Sequence, residues 1–160
     1  MLVTLVTAAL AIVGTLLGSI VAGRFQERAA DRSGRVTRSE AIRRDQLEAV
    51  TALASAISDH RQAMWKRANA ALAGAAAEEV ASLREASHQT RAAVTRPHVA
   101  LRVLITDPAV RVAVDQMVNL TYGMRQPYAT EEDLAAVREA AKDAEDAFVN
   151  AAAGYFSRTA

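Results

Sequence analysis

The stretch IRRDQLEAVTALASAISDHRQAMWKRANAALAGAAAEEV (residues 42–80) decides the fold. Ile42, Val50, Leu53, Ile57, Met64 and Leu72 recur at near-heptad spacing with alanine and polar residues between them, which is the pattern of a helix with one apolar face. The spacing predicts a helix from about Thr37 to Leu72. Ala73-Gly74-Ala75 predicts its end, because glycine accepts the left-handed backbone that closes a helix. Glu78 and Glu79 then stand in the first turn of a second helix, where the dipole favours acids. Two helices joined by so short a turn must run antiparallel.

Downstream the same signals repeat. Val80, Leu83, Val94, Leu101, Leu104 and Ile105 mark the second helix, and Pro97 predicts a kink or a restart within it, since proline removes a backbone hydrogen bond. Asp107-Pro108 predicts a third helix start, with a side-chain acceptor at the N-cap and proline at the first helical position. Val110, Val114, Met117 and Leu120 form its apolar side, and it ends near Tyr122-Gly123. Thr130, with Asp133 three positions on, caps a last helix in which Leu134, Val137, Ala141, Ala144, Phe148 and Tyr155 keep a 3-4 rhythm. The expectation is all-α: a small antiparallel bundle of about four helices over residues 42–160.

Composition agrees with helices. The chain has 160 residues, 51% of them hydrophobic but only 4% aromatic, with alanine the commonest residue. Cys is absent, which excludes a disulfide framework, a zinc ribbon, an iron–sulfur site and a cysteine nucleophile. The scarcity of aromatic and turn residues speaks against sandwiches and barrels. A net charge of +1 gives no whole-chain argument for nucleic acid. The basic side is nearly all arginine, Lys66 and Lys142 being the lysines.

Upstream of the bundle, LVTLVTAALAIVGTLLGSIVAG (residues 2–23) contains no charge. At 1.5 Å per residue such a helix is about 33 Å long, against roughly 30 Å of bilayer hydrocarbon. A cleaved signal peptide would have a positive leading region and a shorter apolar core, and a buried core helix is rarely uncharged for so long. A single transmembrane helix is expected. Arg24, Arg28, Arg32, Arg35, Arg38, Arg43 and Arg44 follow it and no basic side chain precedes it, so the amino terminus is expected outside and the carboxyl terminus in the cytoplasm. Gly14, Gly18 and Ala22 share one face as a G-x-x-x-G stripe, and Ala11, Thr15 and Ser19 form a second. Close backbone approach along the first predicts a homo-oligomer.

Residues 24–41 read as a basic juxtamembrane helix. Arg24, Arg28, Arg32 and Arg35 lie on one face, suited to the anionic headgroups of the inner membrane. Nucleic-acid phosphates would answer the same charges, but no aromatic interleaving or base-reading motif accompanies them, and nucleic acid is not expected as a partner. Phe25 sits at the interface, and Ser33-Gly34 is the weak point, a possible joint between stalk and bundle.

Chemistry-bearing residues are few. Pairing the first two bundle helices about Gly74 sets His60 opposite His88, with Asp59 beside the first and Glu85 one turn from the second. Glu85-x-x-His88 resembles one copy of the di-iron motif, but a site would need two copies and two more Glu residues, and zinc would need a fuller ligand set. Asp59, His60, Glu85 and His88 are therefore expected to form a polar layer that sets helix register, with the two histidines hydrogen-bonded to Ser87, Thr90 or Asp59. His98 is expected solvated in a turn after Pro97. No phosphate loop, dinucleotide fingerprint, metalloprotease helix or nucleophile elbow occurs, so no catalytic residue, metal or cofactor is expected. Trp65 is expected to pack in the bundle or plug its end. Tyr122, Met124 and Tyr128 are expected to fold their loop onto the helix ends, with a docking site as the alternative.

The strings IRRDQLEAVTALASAISDHRQAMWKR (42–67) and LREASHQTRAAVTRPHVALRVL (83–104), behind a leader containing Gly-Thr-Leu-Leu-Gly-Ser (14–19), resemble the small actinomycete proteins of the KilB family. The likeness is strongest at Asp59-His60-Arg61, Met64-Trp65 and Ser87-His88-x-Thr90-Arg91. The resemblance implies membrane association and a role in plasmid spread between hyphal compartments, with toxicity when unregulated; it brings no catalytic residues. The expected function is a membrane-anchored, non-enzymatic interaction protein with a cytoplasmic or membrane protein partner. A membrane-active toxin is the alternative, against which the span offers no charge to line a water path.

Overall fold

The computed structural model describes the backbone of residues 2–125 and 127–159, and the side chains of residue 34, residues 37–125 and residues 127–159. Four helices follow one another: α1 (Leu2–Leu72), α2 (Ala77–Leu104), α3 (Pro108–Gly123) and α4 (Glu131–Arg158). No strand occurs among the described residues. The chain divides into two units, residues 1–43 and 44–160.

In the first unit α1 is helical through Ser33-Gly34 without a break. Among the described residues no helix is long and apolar enough to cross a membrane. The side chains of the apolar stretch 2–23, of Gly14, Gly18 and Ala22, and of Arg24, Arg28, Arg32 and Arg35 lie outside the described residues.

The second unit is an up-down-up-down bundle. Gly74 takes φ +70°, and the Ala75 amide donates to the Ala70 carbonyl at 3.0 Å, a Schellman closure that frees the chain to reverse. The turn carries on through Ala75 and Ala76 before α2 begins. That length shifts the pairing by two residues from the expected one, so His60 meets Thr90 rather than His88, and the Gln46 amide reaches the Leu104 carbonyl at 2.9 Å.

The Asp107 carboxylate accepts from the Ala109 and Val110 amides at 3.0 and 3.1 Å. These bonds satisfy orphan donors at the start of α3. The Val110 amide above all, helped by the Arg158 guanidinium at 2.9 Å, holds the Asp107 pKa below the usual carboxylate value against a smaller opposing effect of desolvation. Thr130 Oγ1 accepts from the Asp133 amide at 3.1 Å and starts α4 in the same way. Arg111 closes the other end of this connection by donating to the carbonyls of Ile105 and Arg102.

Every helix feeds the main core: Leu53 and Ile57 from α1, Val94 and Leu101 from α2, Val114 and Met117 from α3, and Phe148 from α4, with Ile105 from the α2–α3 connection. A second cluster seals the far end, where Met64 packs with Met124, Leu134 and Ala141, and Trp65 and Tyr128 lie against it. Met124 is thus buried, and Tyr128 packs against the same cluster at the helix ends.

Of the two outcomes expected at Pro97, a kink or a restart, the restart does not occur: α2 runs through it, with the fully buried Val94 and Leu101 on either side. Two expectations are corrected. His98 therefore sits in a helix, half-buried, with a buried Nε2 that has no hydrogen-bond partner, not solvated in a turn. Ile42, expected on the apolar face, is exposed, since the core of this helix begins at Ala49 and Val50.

Candidate functional site

Two helices of the bundle carry the same spacing on facing sides. On α1, His60, Met64 and Arg67 are separated by four and three residues; on α2, Arg84, His88 and Arg91 are too, so each set forms one stripe. Together with Tyr122 and Arg125 from the end of α3, and Ser87, these side chains line a cavity of about 240 Å³. A neighbouring cavity of about 430 Å³ shares Met64, Arg67 and Arg125 with it and continues towards Leu72, Met124 and Tyr128. The Tyr128 hydroxyl is buried there without a partner, and burial raises its pKa.

His60 forms the floor and is 2% exposed. Its Nδ1 lies 3.0 Å from Thr90 Oγ1, and its ring meets Tyr122 edge-on at 5.4 Å between centroids. Burial, and next the positive charge of Arg91, lower its pKa from 6.5 to about 4, while the Ser87 backbone pulls weakly the other way. The imidazole is neutral at physiological pH. Ser87 is buried and donates its hydroxyl proton to the Arg84 carbonyl at 2.6 Å. Thr90 donates to the Ser87 carbonyl at 3.1 Å. Both hydroxyls are thus spent on the helix backbone.

His60 and Ser87 are buried, and Thr90, half-buried, completes their polar layer. Asp59, Glu85 and His88 have exposed side chains, and His88 stands on the cavity rim. Among the described residues no group of three or more His, Asp or Glu side chains is placed to hold a metal ion.

Charge is the distinguishing property of this site. Among the described residues no Asp or Glu lines the cavity, and four arginines do. Arg91 is steadied by lying over the Tyr122 ring at 4.3 Å, a cation–π contact. The ion pairs of the bundle fall elsewhere: Arg61 with Glu145, Lys142 with Glu139 and Arg158 with Asp107. Arg138 caps the Trp65 ring at 4.7 Å instead of joining the cavity. Sequence reasoning identified His60 and His88 but missed the arginines around them. Arg84 and Arg91 could have been found from their shared face with His88; Arg125 could not, because it arrives from the other end of the bundle.

No solved structure matches the chain. Protein KilB of Streptomyces lividans is 39% identical over 152 residues, which cover 95% of this chain and 99% of that protein. The family model described as KilB plasmid transfer protein matches residues 47–156, a range that contains every residue lining the cavity. On both matches, the chain belongs to the KilB family of plasmid transfer proteins.

Proposed function

We propose that this chain is a membrane-anchored, non-enzymatic interaction protein that acts in plasmid spread. Its apolar leader would fix it in the cell membrane with the bundle on the cytoplasmic side, and the bundle would engage a protein partner. The observation that carries this reading is the uncharged run from residue 2 to residue 23 followed by seven arginines, a length and flank that suit a span held carboxyl-terminus-in. The similarity to Protein KilB runs over 152 of the 160 residues, so it takes in most of that leader. Arg24, Arg28, Arg32 and Arg35 would rest on anionic headgroups, each contributing on the order of 1 kcal/mol near the surface. Gly14, Gly18 and Ala22 would bring two copies together.

Alkaline carbonate washing of membranes tests the anchor. The intact polypeptide is expected to stay in the pellet, and its release into the supernatant refutes the proposal. A reporter fused after Ala160 is expected to be protected in intact cells and reactive after permeabilisation.

A further inference from the structure

Among the described residues four arginines and no Asp or Glu border the cavity, which gives this opening a concentration of positive charge without a built-in counter-charge. Arg61 is matched to Glu145 and Arg158 to Asp107; among the described residues no ion pair engages these four. Two of them, Arg84 and Arg91, share an α2 face, while Arg67 and Arg125 come from α1 and the end of α3, so the charges converge from three helices on one space. The geometry points to a binding site for a phosphoryl group, held by Arg67, Arg84, Arg91 and Arg125.

Phosphate fits better than a carboxylate for two reasons. A guanidinium presents a planar fork of N–H donors that matches phosphate oxygens two at a time. A phosphomonoester carries about −1.5 to −2 charges at neutral pH, and a diphosphate more, whereas a carboxylate brings only −1 to four positive groups. The space of about 240 Å³ far exceeds the roughly 10–15 Å³ that one water needs on the same measure, so the opening has room for a ligand larger than water. Arg91 is held against Tyr122, so part of the ordering cost of binding is already met. The inference does not rest on the membrane anchor. The phosphoryl group has two possible sources, a free phosphorylated small molecule and the headgroup of a phosphatidate-type lipid.

Calorimetric titration of the full chain in a nonionic detergent distinguishes them. One arm uses inorganic pyrophosphate, the other phosphatidate added to the same micelles. Saturable pyrophosphate binding is expected, weakened on the order of a hundredfold in Arg84→Gln/Arg91→Gln, which removes two charge-assisted contacts. It is expected to be unchanged in Arg102→Gln, which removes one exposed charge away from the cavity. Binding of phosphatidate alone with the same sensitivity to the double variant assigns the site to a headgroup. Binding of neither probe, or equal binding by the wild type and the double variant, overturns the inference. Thermal unfolding followed by circular dichroism confirms the fold of each variant; should the double variant lose its transition, Arg125→Gln, on an exposed position, carries the same comparison.

Discussion

The Nδ1 atom of His60 and the Oγ1 atom of Thr90 are 3.0 Å apart, a hydrogen bond whose direction follows the imidazole tautomer. In either direction a buried, neutral histidine ties α1 to α2 beneath the arginine cluster.

This makes stability fall as the medium is acidified. The folded pKa of His60 is about 4 against 6.5 for the free group. Between those values the unfolded chain takes up a proton that the folded chain refuses, so stability rises with pH across the window and is lost on descending through it. From pH 7 to pH 5 the loss is about 2 kcal/mol. Urea unfolding at the two pH values is expected to show it, and His60→Gln is expected to flatten the difference.

The helices were largely legible in the sequence because their boundaries are local. Asp107-Pro108 and Thr130 act on amides two or three residues away, within reach of any reading of neighbours. At Pro97 the neighbours alone left a kink and a restart both open, because what carries a helix through a proline is distant: Val94 and Leu101 insert into a core assembled from all four helices. The His60 pairing was misjudged by two residues because the turn runs past Gly74 to Ala76. The arginine cavity stayed hidden for the same reason as the Pro97 outcome. Spacing shows which residues share a helix face, but not which face from another helix will meet it.

Gln46 joins three helices through one amide nitrogen, which donates to the Leu104 carbonyl at 2.9 Å and to the Tyr155 hydroxyl at 3.0 Å. Leu104 ends α2, so its carbonyl lacks a partner within the helix. Gln46→Ala is expected to cost about 1–2 kcal/mol in chemical denaturation and Tyr155→Phe about 0.5–1 kcal/mol. The double variant should cost less than the sum, because the bond between the two side chains is lost only once.

The backbone at Gly74 sets the hairpin apart from the other glycines. No heavy atom lies within 4 Å of a Cβ built there, so space is not the constraint; its φ of +70° is. Gly74→Ala is expected to destabilise by about 1–2 kcal/mol, the cost of a left-handed alanine. Gly123, at the end of α3, also has open space around a Cβ but no positive φ. Gly123→Ala is expected to stabilise by roughly 0.5 kcal/mol. Opposite shifts in thermal midpoint for two chemically identical substitutions are the readout.

Arg61 and Glu145 form an ion pair between α1 and α4, with side chains only 12% and 19% exposed. The pair has already given up most of its hydration, so removing one partner leaves the other charge poorly solvated. Arg61→Ala is expected to cost about 2–3 kcal/mol, more than the ~0.5 kcal/mol expected of the exposed Lys142–Glu139 pair. Replacing both members, as in Arg61→Met/Glu145→Leu, removes the stranded charge along with the attraction and is expected to recover most of the loss. Urea denaturation of the two single variants and the double variant separates these contributions: recovery identifies desolvation as the main cost, and additive losses would assign it to the attraction between the charges.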